Sequence, residues 1–206
     1  AQVIQTFVDT YQRGETPNPC VDCNSKVKFR ELRDRATALG VEYVATGHYA
    51  RIQRSSTEWQ LLRGIDTDKD QSYFLYSLLR EELPSTLFPI GHLTKPEVRD
   101  LARRAGFVTA EKAESQDICF VSGSAADFVR QMGGKMPSGA IARSDGTVIG
   151  RHEGIHQFTV GQRRGLNIGG SDEPLYVTEI DPATHKVIIG PRSELRRESF
   201  KVGDLN

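Results

Sequence analysis

Three cysteines hold most of the chemistry that this chain's side chains could perform: Cys20, Cys23 and Cys119. Cys20 and Cys23 form a C-x-x-C in Pro19-Cys20-Val21-Asp22-Cys23-Asn24, directly ahead of a helical pattern. A thiol at a helix N-terminus feels the positive end of the macrodipole, which favours the thiolate. Lys26 and Lys28 are close enough in sequence to act in the same direction. Two other readings of the pair stay open. A zinc half-site needs four ligands in all, and the chain adds only Cys119 and five scattered histidines, without a second C-x-x-C. A redox pair of the thioredoxin kind wants a strand-to-helix entry, and here a proline-rich loop, Thr16-Pro17-Asn18-Pro19, leads in.

Cys119 lies in Glu114-Ser115-Gln116-Asp117-Ile118-Cys119-Phe120-Val121. By residue type alone, a cysteine between Ile118 and Phe120 reads as a small buried hydrophobe. The Ser, Gln and Asp before it are expensive to bury without partners, which tilts the segment towards a site. An odd number of thiols cannot pair off completely, and three are too few for a disulfide framework.

The elements that must position these thiols follow from periodicity and turn chemistry. Val3 to Tyr11 reads as a helix, broken by Gly14 and the two prolines. A second helix puts Phe29, Leu32, Ala36 and Leu39 on one face, with Gly40 suited to its C-terminal cap. Val41 to Thr46 reads as a buried strand, Arg51 to Gly64 as a hairpin, and Gln71 to Leu79 as a helix. Thr94 with Glu97 has capping-box spacing ahead of the stripe Val98, Leu101, Ala102 and Ala105; Ser124 with Asp127 repeats it before Phe128, Val129 and Met132. Beyond Gly133-Gly134 short strands are expected at 140–142, 147–149, 155–160, 175–180 and 186–189, separated by Ser144-Asp145-Gly146, Gly169-Gly170 and Asp181-Pro182. The expected division is an α/β part followed, past about residue 132, by a small β-rich part.

Composition sets outer limits. Hydrophobic residues are 37% and charged residues 26%, the profile of a globular protein. No apolar run approaches the ~18 residues of a membrane span, and the opening residues lack a secretory signal, so the cytosol is the expected compartment. Acidic and basic residues balance at 27 each. Any nucleic-acid surface must therefore be local, with Lys26, Lys28, Arg30 and Arg33, Arg99, Arg103 and Arg104, Arg163 and Arg164, and Arg192, Arg196 and Arg197 as the clusters available.

Five blocks in order resemble one family, the tRNA-specific 2-thiouridylases (TrmU or MnmA): Thr16-Pro17-Asn18-Pro19 with Cys23-Asn24 and Lys28-Phe29; Ala45-Thr46-Gly47-His48-Tyr49; Lys69-Asp70-Gln71-Ser72-Tyr73-Phe74-Leu75; Glu114 to Phe120; and Phe158-Thr159-Val160-Gly161-Gln162-Arg163-Arg164-Gly165-Leu166. The resemblance implies an α/β fold. A partial PP-loop ATP-pyrophosphatase-like (adenine nucleotide alpha hydrolase-like) domain would span 1–132 and a β-rich central tRNA-binding domain 133–198. Residues 199–206 would open a truncated C-terminal β-barrel, with a first strand near Phe200 to Leu205.

It also implies an activity, the ATP-dependent 2-thiolation of the wobble uridine (position 34) of tRNA. ATP, with Mg²⁺, adenylates the C2 oxygen of the uridine. A persulfide on Cys119 delivers sulfur, and Cys23 acts as partner nucleophile and completes release by attacking the bound sulfur, leaving a disulfide. By the same likeness Asn18, Pro19 and Cys20 match a target-base segment, Gly47 an ATP contact, and His48, Lys69, Asp70 and Gln71 tRNA contacts. The implied partners are the tRNAs for lysine, glutamate and glutamine, and a cysteine desulfurase or sulfur-relay protein as donor.

Two departures from the family pattern open alternatives. Many members have aspartate where this chain has Cys20. Three thiols, Cys20, Cys23 and Cys119, would suit a [4Fe-4S] cluster with one open iron, a route that competes with the persulfide. The Gly-rich, Ser-containing loop that holds ATP phosphates in the family is also missing, Gly14 being the only glycine before Gly40. The resemblance then implies an excerpt unable to adenylate tRNA alone, acting by itself as a tRNA-docking and sulfur-accepting module. A thiol-based metal or zinc protein without turnover is the remaining reading.

Overall fold

In a computed structural model the chain is described over residues 2–112, 118–133, 136–169 and 173–203. It divides into two compact units, one formed by Cys20–Gln116 and one composite, formed by Ala1–Pro19 with Asp117–Leu205. No helix among the described residues is long and apolar enough to cross a membrane.

The middle unit opens within a continuous helical run: α2 (Pro19–Asp22), a π-helical stretch Cys23–Glu31, and α3 (Leu32–Ala38). Proline suits the first position because its missing N–H has no intrahelical partner there. Gly40 ends the run in the left-handed region at φ +67°. The expected apolar face is only partly buried: Phe29 is interior, whereas Leu32 and Leu39 are exposed. The expected strand from Val41 shrinks to β1 (Val44–Ala45), paired in parallel with β4 (Thr86–Leu87).

The hairpin forms as read, β2 (Ala50–Arg54) against β3 (Trp59–Arg63). The helix expected from Gln71 is instead a single 3-10 turn, Ser72–Leu75. Asp70 explains the difference, because its carboxylate accepts the Ser72 N–H and hydroxyl and ties the chain back to the Gly64 N–H. In the hydrophobic interior, Phe29, Ala50, Leu75, Leu78, Leu83 and Phe88 pack together. α4 (Lys95–Arg104) starts at the expected Thr94, whose N–H and hydroxyl both donate to Glu97 (2.7 and 2.8 Å), but its apolar stripe is not interior: no residue of α4 is buried and Leu101 is exposed.

In the composite unit α1 (Gln2–Gln12) packs on α5 (Ala125–Gly133) through Phe7, Val8 and Val129. The Ser124 cap is present, its hydroxyl accepting the Asp127 N–H at 3.0 Å. Four strands, β5 (Gly139–Arg143), β6 (Val148–His152), β7 (Tyr176–Asp181) and β8 (Lys186–Gly190), form one sheet in the order β6-β5-β8-β7. β5 and β8 run parallel and the other pairs antiparallel. The strand expected over 155–160 is a 3-10 turn, Ile155–Gln157, leading into an extended stretch. Period-two patterning fails there because Ile155, His156 and Phe158 are all buried in sequence, which alternation would forbid. Residues 200–203 form no strand, and the rest of the strand expected there lies outside the described residues.

Candidate active site

Cys20 falls in the first turn of α2 and Cys23 at the α-to-π junction, three residues apart and therefore on neighbouring positions of one helix face. Cys20 is exposed and Cys23 partly so. The Lys26 ammonium forms an ion pair with Asp22 at 2.6 Å, one turn back. The π stretch shifts hydrogen bonding to i→i+5, as in the Leu32 N–H reaching Val27 O, and π-helical geometry occurs often at functional sites.

The same stretch sends Asn24 inward to 3% exposure. Its Nδ2 donates to Phe74 O at 3.0 Å, while its Oδ1 is buried and has no partner. An unsatisfied buried acceptor costs about 1–3 kcal/mol. Sequence reasoning missed this role of Asn24, since a polar residue after a cysteine carries no signal for burial.

Three of the five blocks meet in this unit. Asn24 bridges the first to the third. Phe29 stacks on the His48 ring with centroids 5.9 Å apart, bridging the first to the second. Gln71 clamps the second to the third, its Oε1 accepting the Tyr49 N–H (3.0 Å) and its own N–H donating to Tyr49 O (2.9 Å).

His48 is buried between Phe29 and Phe88, with Nδ1 2.8 Å from Thr46 Oγ1. Burial, reinforced by the charge of Lys28, pushes its pKa down to about 4, so the ring is neutral at pH 7. Burial works against the charge of Asp70, but hydrogen bonds from Gly64 and Ser72 outweigh it and hold the carboxyl below its usual range. Gly64 is required here, since a Cβ would come within 2.8 Å of Tyr49 O. Gly47 differs: it has no left-handed φ, and the nearest atom to a Cβ there is Ile90 Cδ1 at 3.9 Å. Neither backbone strain nor crowding inside the protein calls for glycine at 47. Lys69 is half-buried.

Asn18 and Pro19 close the first segment of the composite unit. Later in that unit Ile118 and Val121 bracket a turn, the Val121 N–H donating to Ile118 O at 2.9 Å. Ile118 and Phe120 pack against Phe7, and the Phe7 and Phe120 rings meet edge-on at 5.3 Å. Cys119, at the tip between these anchors, is exposed. The reading of this cysteine as a buried hydrophobe is therefore overturned: its neighbours take the interior and the turn turns the thiol outward. The preceding Glu114 to Asp117 lies wholly outside the described residues.

The fifth block forms a tight loop. Gly161 has φ +90°, its N–H donates to Val177 O, and Gln162 Oε1 accepts the Thr159 N–H. Phe158 and Leu166 are buried at its ends, leaving Arg163 and Arg164 exposed.

Comparison with known proteins divides the chain between residues 123 and 126. Residues 1–123 match the family described as "tRNA methyl transferase HUP domain", and residues 126–191 the one described as "tRNA methyl transferase PRC-barrel domain". The fold and site thus define a class in which a HUP domain is joined to a PRC-barrel domain. Among similar proteins, each named tRNA-specific 2-thiouridylase MnmA, that of Leptospira interrogans is 46% identical over 206 residues, covering 100% of this chain and 54% of the relative. That of Geobacter metallireducens is 52% identical, covering 98% and 56%, and that of Chloroflexus aggregans 50%, covering 98% and 57%. The chain belongs to the tRNA-specific 2-thiouridylase (MnmA) family, and it spans about half the length of the curated relatives it matches.

Proposed function

We propose that the chain is the thiol-bearing part of an ATP-dependent enzyme that replaces the C2 oxygen of the wobble uridine of tRNA with sulfur. The observation that carries this reading is the exposure of Cys119 on a turn whose flanking residues are anchored, together with Cys23 on a helix knitted to two further motif blocks. Thiols held on fixed backbone and open to solvent suit group transfer, and buried thiols do not. The matching family is described by methyl transfer and the relatives are named for thiolation; an exposed thiol on an anchored turn favours sulfur.

In this mechanism ATP converts the C2 oxygen into a leaving group as an adenylate. Cys119 carries the terminal sulfur as a persulfide, Cys119–S–SH. Its outer sulfur forms the new bond to C2 as AMP leaves. The Cys23 thiolate then attacks the Cys119 sulfur, breaking the S–S bond and releasing the C2 sulfur as the thiocarbonyl. A Cys23–Cys119 disulfide remains, and a thiol reductant must reopen it.

Asn18, Pro19 and Cys20 present the target base to this chemistry. The bare backbone at Gly47 admits close approach of the nucleotide, Mg²⁺ accompanies ATP, and the segment with His48, Lys69, Asp70 and Gln71 lies against tRNA. His48, Asp70 and Gln71 act there by fixing the main chain, because their polar side-chain atoms bond within the protein. The division near residue 132 into a catalytic portion and a central tRNA-binding domain belongs to the same proposal, as do the tRNAs for lysine, glutamate and glutamine, a persulfide-donating desulfurase or relay protein, and the cytosol as compartment. A [4Fe-4S] cluster is the competing route: Cys20 and Cys23 offer two thiolates on one helix face and Cys119 would supply the third, and no step is routed through it.

The test completes the chain to the length of its relatives and measures 2-thiouridine in tRNA by nucleoside mass spectrometry, with ATP and a persulfide donor. Cys23→Ser and Cys119→Ser are each expected to abolish it. Thiolation that survives either change removes that thiol from the mechanism.

A further inference from the structure

From Asp70 to Leu75 nearly every residue has an inward task. Asp70 holds Gly64 and Ser72, Gln71 clamps Tyr49, the Phe74 carbonyl accepts Asn24 Nδ2, and Leu75 is fully buried. The exceptions are aromatic: Tyr73 is 68% exposed, and Tyr76, one turn on, is 57% exposed. Their rings lie 6.4 Å apart at a tilt of 59°, and Phe74 meets Tyr73 edge-on at 5.5 Å. Among the described residues this is the one aromatic pair in which both rings are exposed.

Exposed tyrosines on a mobile loop would signify little, but these stand on pinned backbone. The Phe74 N–H donates to Gln71 O (3.0 Å), and its carbonyl is tied to the residue that follows Cys23. Two exposed rings on fixed backbone are preorganised to stack, so little ordering is left to do when a planar ligand arrives.

We propose that Tyr73 and Tyr76 form a stacking platform for an unpaired base of the tRNA loop beside the target uridine. The inference rests on the tRNA reading above and deepens it. Unstacked bases in RNA loops are commonly held on aromatic side chains, and the platform is coupled through Asn24 to the helix that carries Cys20 and Cys23. It also accounts for Asp70 and Gln71: these side chains set the turn, and the tyrosines make the contact.

The probe is a fluorescein-labelled anticodon stem-loop RNA with an unmodified wobble uridine, titrated with the chain and followed by anisotropy. Tyr73→Ala is expected to weaken binding by roughly 5-fold to 100-fold, the range for loss of one base–aromatic stack. Tyr73→Phe should bind like the unaltered chain, and Tyr76→Ala should fall between. The salt dependence should stay unchanged in all three, because no phosphate contact is lost. Equal affinity of the unaltered chain and both alanine variants would overturn the platform while leaving the tRNA reading intact. No RNA binding by the unaltered chain would overturn both. Weakening accompanied by an altered salt slope would also overturn the platform, since it would mark the tyrosines as shaping a charged surface.

Discussion

In the middle unit the motif residues Asn24, Phe29 and His48 lie inside the protein, whereas in the composite unit the motif thiol Cys119 lies outside and an apolar cluster that includes Phe158 and Leu166 of the fifth block builds the interior. Asn24, Phe29 and His48 are all 6% exposed or less, and they hold the helix of Cys23 against the 46–49 and 69–75 segments. The composite interior is instead made of Ile141, Ile155, Phe158, Leu166, Val177, Val187 and Ile189, with Cys119 at the surface next to a separate cluster around Phe7. Substitutions in motif residues of the middle unit should therefore disturb fold and function together, and those at Cys119 should disturb function alone.

The sharpest way to separate the units uses two glycines crowded by backbone. A Cβ at Gly91 would overlap Ala50 O, and one at Gly139 would overlap His185 O. Gly91→Ala and Gly139→Ala should each destabilise by about 3 kcal/mol. Hydrogen exchange should show protection lost first in 44–91 for the former and in β5 to β8 for the latter. If either change leaves exchange in its own unit untouched, the packing described for that unit is wrong.

Asn24→Ala should come next, lowering stability by about 1–2 kcal/mol through the stranded Phe74 carbonyl, offset in part because the partnerless Oδ1 is removed with it. A denaturant midpoint unchanged from the unaltered chain would show that the bridge from Cys23 to the third block is not formed.

The pH dependence has a definite sign. His48 titrates at about 4 in the folded chain against an ordinary value of 6.5, so the unfolded chain binds more protons between those values. Its contribution is complete above pH 6.5 and is lost as pH falls towards 4. His152 and His156, lowered mainly by burial, act in the same direction in the composite unit. His48→Phe should flatten the dependence of the middle unit's melting temperature between pH 7 and 5 and leave that of the composite unit as it was. An unchanged slope in the middle unit would remove His48 as its source.

Much of this comparison could be read from the sequence, and the part that could not has a physical cause. Helices with local caps were legible at Thr94 and Ser124 because a cap needs only its own neighbours. The hairpin and the four strands of the composite sheet followed from alternation and turn residues. The 3-10 turns at 72–75 and 155–157 were not, because each is fixed by tertiary bonds or by consecutive burial that no local pattern encodes. The thiols were legible by type and spacing, but their environments were not: Lys26 is taken by Asp22, and Cys119 is turned outward by anchors on either side. The apolar face of α3 was legible as a pattern, yet Leu32 and Leu39 are exposed here, so a periodic stripe shows capacity for burial and not burial itself.

The most direct measurement is made on the protein completed to its relatives' length, with thiolation and stability recorded on the same Cys119→Ser sample. The expected result is no 2-thiouridine and an unfolding free energy within about 0.5 kcal/mol of the unaltered protein, as for an exposed position. Retained thiolation would contradict sulfur carriage by this residue. Lost thiolation with a collapsed fold would contradict its placement on the outside.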